Sequence, residues 1–73
     1  MRVLDVVVLT RDLPEERLVA GDIGTIVAVH GDGAGYTVEF MTLLGDTIAV
    51  PTLPAAIVRM PAPSEVRSAR ELA

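Results

Sequence analysis

Short runs of apolar and β-branched residues, which are typical of β-strands, recur along the chain between polar, glycine-rich or proline-containing segments. The pattern predicts five strands, at residues 2–10, 25–30, 36–40, 47–50 and 58–60. The third has the strictest alternation, and its Tyr36, Val38 and Phe40 are expected to face the core. Thr37 and Glu39 are then expected to face water.

Glycine and proline residues mark the turns between these strands. Gly21, Asp22 and Gly24 predict a sharp corner before the second strand, because glycine permits left-handed backbone or close approach of another segment. A glycine-rich run at residues 31–35 predicts a hairpin loop. Pro51 limits the pairing of the fourth strand, which is expected to end there or to run along a sheet edge.

Two further segments complete the predicted architecture. Residues 11–17 are typical of a long surface loop, from which Leu13 and Leu18 fold back as apolar anchors. Residues 53–57 are expected to form one 3₁₀ turn with Pro54 at its first position. Five short strands, a long first loop and a tight turn before the last strand predict an all-β fold, a small Src-homology-3-like barrel.

The predicted domain occupies residues 1–60 and is followed by a tail at residues 61–73. Pro61 and Pro63 stiffen the start of this tail, and Ser64 is a candidate helix cap. A helix here would have about nine residues, fewer than the ~12–15 that isolated helices require. The tail is therefore expected to be disordered or to form a short helix.

Composition bears on stability and on partners. A domain near this length buries only about 60% of the surface of its unfolded chain, and a sequence without cysteine forms no disulfides. We therefore expect a protein partner or self-association, such as a dimer.

The net charge of −4 disfavours nucleic acid, because phosphates are repelled. No apolar stretch is long enough to span a membrane, so a cytoplasmic location is expected.

Few residues offer catalytic or ligand-binding chemistry. A general base or metal site would pair His30, the only histidine, with Asp22 or Asp32. Cysteine is absent and both serines lie in the tail, so we expect a strand-end histidine and neither a catalytic site, a metal nor a cofactor. The run at residues 31–35 precedes a strand rather than a helix, which favours a hairpin over a phosphate site.

The least expected apolar residues lie between the third and fourth strands. Met41, Leu43 and Leu44 occur where a hairpin connection is ordinarily polar. One interpretation is a partner-binding surface, which Val50 and Pro51 of the edge strand would extend. The other is that the strands extend further than predicted, with Met41 or Leu43 in the core.

Taken in order, several segments resemble the bacterial domain-of-unknown-function family 4926. They lie at residues 5–10, 12–15, 21–27, 36–40 and 52–55, and the resemblance spans residues 3–60. It implies a short bacterial protein with a Src-homology-3-like barrel and no assigned activity, and it carries over no catalytic residues. The corner at residues 21–27 also resembles the KOW-type turn of RNA-binding barrels.

These observations favour a non-enzymatic protein-interaction module, a small acidic barrel that binds a protein partner or itself. One alternative is a KOW-like nucleic-acid-binding module, suggested by the corner. A further alternative is an accessory subunit of an enzyme.

Overall fold

The computed structural model describes residues 1–64, which form six short strands and two 3₁₀ helices. The strands are β1 (Val6–Leu9), β2 (Ile23–His30), β3 (Gly35–Met41), β4 (Thr47–Ala49), β5 (Thr52–Pro54) and β6 (Val58–Arg59). The 3₁₀ helices are Pro14–Glu16 and Ala55–Ile57. The predicted all-β class is confirmed, with six strands in place of five.

All strand pairs are antiparallel, in the order β4-β3-β2-β1-β6, and β5 pairs with β3 on the same side as β4. From β5 the chain crosses through the second 3₁₀ helix to the other edge, where β6 pairs with β1. This is the connectivity of a small Src-homology-3-like barrel. The barrel is open, because within residues 1–64 no ladder joins β6 to β4 or β5.

The core follows the alternation of β3. Tyr36, Val38 and Phe40 are buried, as predicted, while Thr37 and Glu39 are partly exposed. The remaining buried members of the core are Val7, Leu9, Leu18, Ile26, Leu53 and Val58. A period of two along one strand therefore specified the centre of the core.

The long first loop contributes to the core through two leucines. Leu18 is buried and Leu13 packs against the core, as predicted. The two form an isolated bridge, in which the Leu13 N–H donates to the Leu18 carbonyl over 2.9 Å and the Leu18 N–H donates back over 3.1 Å. This bridge closes the loop around the first 3₁₀ helix.

The glycine corner lies at the end of the long first loop, directly before β2. Gly21 has a left-handed φ of +96°, and its N–H donates to the Leu9 carbonyl over 2.8 Å. Asp22 stabilises the corner, since its carboxylate accepts the Val19 N–H over 3.0 Å. β2 begins two residues earlier than predicted, so Gly24 lies inside the strand. A Cβ at Gly24 would come within 2.5 Å of the Val38 Cγ1, which explains the need for glycine there.

The first strand is shorter than the predicted residues 2–10. Before it, the Asp5 N–H donates to the Arg2 carbonyl over 3.0 Å, and Leu4 has a left-handed φ of +76°. Left-handed backbone is incompatible with an extended strand, so residues 2–5 form a turn.

The predicted fourth strand is divided at Pro51. The pairs Phe40↔Ala49 and Tyr36↔Leu53 share one register, so β4 and β5 lie along the same edge of β3. Pro51 has no N–H to donate, and the ladder is interrupted at residues 50 and 51. Both predicted outcomes hold, because β4 ends at Ala49, before Pro51, and lies along an edge of the sheet.

The predicted 3₁₀ turn at residues 53–57 is shorter and begins later. Leu53 is buried in β5, and Pro54 precedes the helix Ala55–Ile57 as its cap residue with extended backbone. Proline is compatible with that extended φ, so it ends the strand rather than opening the turn.

The structure describes the tail only as far as Ser64. The predicted disorder or short helix at residues 65–73 lies outside the described residues. Within residues 1–64, no helix is long and apolar enough to cross a membrane.

Candidate protein-interaction surface

The connection between β3 and β4 is a tight hairpin whose tip is Leu43-Leu44-Gly45. The Thr42 N–H donates to the Asp46 carbonyl over 2.8 Å, and the Asp46 N–H donates to the Thr42 hydroxyl over 3.1 Å. Gly45 has a left-handed φ of +91°. This is the geometry of a three-residue loop in which glycine takes the left-handed position and the two preceding residues form the bend.

Both leucines at the bend project into solvent. Leu43 is 86% exposed and Leu44 is 91% exposed. The interpretation that placed Leu43 or Met41 in the core is therefore wrong, because the chain turns directly after Met41 and leaves the leucines beyond the sheet. Nothing in the hydrogen bonding of the turn requires leucine at either position.

Met41 and Val50 are two further exposed apolar residues on the strands that border this hairpin. Met41 is exposed at the end of β3, and its Cε lies 4.0 Å from the position of a Cβ at Gly45. Val50 is exposed between β4 and β5. Pro51 differs from the other four predicted partner-binding residues, because it is partly buried and its carbonyl accepts the Val38 N–H over 3.0 Å. We call Met41, Leu43, Leu44 and Val50 the hairpin patch.

The backbone beside this patch is poorly suited to adding a further strand. The Val38 N–H donates to the Pro51 carbonyl, so the flanking Val50 and Thr52 direct their N–H and C=O groups toward the open edge, and only this short stretch could pair with a further strand. A register shift between Phe40↔Ala49 and Met41↔Thr47 places a bulge in β4, and Pro54 offers no N–H. Bulges and prolines in an edge strand commonly prevent it from pairing with a strand of another chain. Any partner is therefore expected to bind through side chains rather than strand addition.

A second apolar surface was missed by the sequence analysis. Leu4 is 75% exposed, and Val3 and Val27 are also exposed. The Leu4 N–H donates to the Ile26 carbonyl over 2.7 Å, which holds the turn against β2 beside Val27. We call Val3, Leu4 and Val27 the N-terminal patch. Residues 3 and 4 were assigned to the first strand because they are apolar, and no residue type there indicates the left-handed turn.

His30 lies at the end of β2, where a 2.8 Å hydrogen bond joins its Nε2 to the Thr37 hydroxyl. A second bond of 2.8 Å joins the Thr37 and Thr52 hydroxyls, so the three side chains form a row across three strands. Asp22 precedes the opposite end of β2, an eight-residue strand of about 26 Å at the usual rise. His30 and Asp22 therefore cannot share a site. Asp32 lies in the adjacent hairpin turn, with a φ of +55°.

Neither the corner nor the rest of the described chain presents aromatic groups to a nucleic acid. Tyr36 and Phe40, the only aromatic residues in the sequence, are 6% and 1% exposed. Base stacking by single-stranded nucleic acids requires exposed rings. Within residues 1–64, no group of three or more histidine, cysteine or acidic residues is placed to hold a metal ion.

Comparison with known proteins places the chain in one family. No curated protein and no solved structure matched it. The model of the family described as "Domain of unknown function (DUF4926)" matches residues 3–60, which includes all six strands. The match covers most of the 73 residues and ends just before Pro61. The chain belongs to the DUF4926 family.

Proposed function

We propose that this protein is a non-enzymatic interaction module that binds a protein partner or a second copy through the hairpin patch. The observation that supports this most directly is the position of Leu43 and Leu44 at the two bend positions of the hairpin, 86% and 91% exposed. Removing a leucine side chain fully from water contributes about 1.5–3 kcal/mol. Two leucines at one tip thus provide a strong, local driving force for association.

The alternatives have less support. Nucleic-acid binding has less support because both aromatic residues, Tyr36 and Phe40, are buried and the net charge of −4 repels phosphates. A catalytic role would depend on His30, whose hydrogen bond is to a threonine hydroxyl rather than to a carboxylate. An accessory role in an enzyme complex would itself use an interaction surface, so it is a special case of the proposal.

The direct test is the substitution Leu44→Asp, measured by sedimentation velocity and by retention of partners on the immobilised chain. We expect the variant to fold as the wild type does, since the side chain contributes nothing to the core. Its association should weaken at least tenfold, because a carboxylate would have to be buried in place of a leucine.

Ala34→Asp is the matched control, because it places the same charge in the exposed turn of the opposite hairpin. This control should associate as the wild type does. A wild-type chain that stays monomeric at high concentration and retains no partner from its host lysate contradicts the proposal. Equal effects of the two aspartates would show that charge, not the patch, governs association.

A further inference from the structure

Charge is distributed unevenly along the chain, and the hairpin patch lies in an acidic part of it. No arginine or lysine occurs between Arg17 and Arg59, a stretch that includes β2, β3, β4, β5 and the whole hairpin patch. The acidic residues of this stretch are Asp22, Asp32, Glu39 and Asp46. The strands that carry the patch therefore have a net negative charge.

Two of these carboxylates lie at the base of the hairpin. Asp46 is exposed directly after the tip, and its backbone rather than its carboxylate closes the turn with Thr42. Glu39 lies two residues before Met41 on the same outer face of β3, and its carboxylate accepts the Thr47 hydroxyl over 3.0 Å. Within residues 1–64, neither carboxylate is paired with an arginine. Two uncompensated negative charges thus border the hairpin patch.

The arginines of a second copy do not complement these charges. Arg2 lies in one turn with Asp5, whose carboxylate accepts the Arg2 N–H over 2.8 Å. The two arginines of residues 11–17 share that loop with three acidic residues. Arg59 is a single cation, and its guanidinium donates to a backbone carbonyl over 3.2 Å. No segment of residues 1–64 therefore presents a group of cations to the hairpin patch of another copy.

We propose that the hairpin patch binds another protein at an apolar surface bordered by lysine or arginine residues. This inference rests on the proposed function and specifies the chemistry of the partner. The leucines provide the apolar contact, while Asp46 and Glu39 pair with the surrounding cations, which orients the partner and increases its association rate. The same carboxylates repel a surface with an acidic border, so they contribute to specificity.

Two synthetic peptides test this chemistry. Both are amphipathic helices with the same leucine face, which lysines border in the basic peptide and glutamates border in the acidic peptide. Fluorescence anisotropy of each labelled peptide, titrated with the full chain, gives its dissociation constant. The basic peptide should bind at least tenfold more tightly than the acidic one at low salt. This preference should shrink at high salt, because exposed charges are screened.

Matched variants assign the preference to the two carboxylates. Asp46→Asn should weaken binding of the basic peptide about threefold, and adding Glu39→Gln should bring the loss to about tenfold, since each exposed ion pair contributes modestly. Asp32→Asn is the control, because it removes the same charge from the opposite hairpin and asparagine tolerates the left-handed backbone there. This control should bind the basic peptide as the wild type does.

Other outcomes overturn the proposal in distinguishable ways. Equal binding of the two peptides would show apolar contact without charge selection, and the proposed function would stand without the cationic border. Equal losses in Asp46→Asn and Asp32→Asn would show that the basic peptide responds only to net charge. Failure of both peptides to bind, with a wild-type mass that rises with concentration in sedimentation equilibrium, would assign the patch to a second copy. Failure of both with a monomeric wild type also removes the cationic surface, and partner retention then decides the proposed function separately.

Discussion

The two hairpins of the sheet both reverse the chain between antiparallel strands, but they use different residues to do so. The β2–β3 turn uses Gly31, Asp32 and Gly33, all with left-handed φ values, and Ala34. The β3–β4 turn needs one left-handed residue, Gly45, and otherwise tolerates many side chains. The first turn is thus specified by its backbone, whereas the second leaves two positions free. Leucine at both free positions is not explained by folding, which is why we propose that they bind a partner.

The surroundings of the two turns reinforce this difference. The Ala55 N–H donates to the Ala34 carbonyl over 3.0 Å, so the β2–β3 turn is tied to the second 3₁₀ helix. The β3–β4 turn is closed by bonds between Thr42 and Asp46 within the hairpin itself. One turn is integrated into the barrel and the other extends beyond it. Substitutions at the left-handed positions of the first should change stability, and substitutions of the two leucines in the second should change association.

The largest effect is expected from replacing both tip leucines by serine. Leu43→Ser with Leu44→Ser removes about 3–6 kcal/mol of potential apolar burial at a contact, so association should fall at least a hundredfold. The free energy of unfolding should stay within about 0.5 kcal/mol of the wild type, because neither side chain packs on the core. Sedimentation and urea titration measure the two quantities. Loss of stability comparable to the loss of association would contradict the division between the hairpins.

A smaller effect, of the opposite kind, is expected at Gly33. Valine there would adopt a φ of +98°, with its Cβ 3.3 Å from the Tyr36 hydroxyl oxygen. β-branched residues are rare outliers in this region, so Gly33→Val should cost about 2 kcal/mol of stability. Ala34→Val is the matched control at the adjacent exposed position, and it should change stability by less than about 0.5 kcal/mol. Association measured on the folded fraction should be the same in both variants.

Sequence patterns predicted those features that depend on neighbours along the chain. The burial of alternate β3 residues follows from the pleat alone. Met41, Leu43 and Leu44 were identified because apolar residues are unusual in a hairpin connection, but whether they lie at the surface or in the core was left open. Features that depend on distant contacts were predicted less completely. The folding back of Leu13 and Leu18 was predicted and is confirmed, but the position of Gly24 inside β2 was not predicted. Gly24 lies within β2 because its backbone approaches Val38 too closely for any side chain, a contact formed only after β2 and β3 pair.

The N-terminal patch shows a second limit of sequence reasoning. Val3 and Leu4 are strand-forming residues, and their local preference favours continuing β1. The turn at residues 2–5 is instead stabilised by the Asp5 carboxylate and by the bond from Leu4 to Ile26. Tertiary hydrogen bonds thus overrode local propensity, and an apolar surface appeared where the pattern predicted a paired strand.

The smallest effect distinguishes the glycines of the two turns. Gly45 has a φ of +91°, yet no heavy atom lies closer to its Cβ position than the Met41 Cε at 4.0 Å. Gly45→Ala therefore adds only backbone strain, about 1 kcal/mol, without the steric conflict expected at Gly33. Gly45→Asn should be nearly neutral, because asparagine tolerates left-handed backbone. Thermal and urea unfolding of the pair measure this difference. A loss at Gly45→Ala as large as that at Gly33→Val would mean that the β3–β4 turn is as constrained as its counterpart, and the leucines would then have a structural role after all.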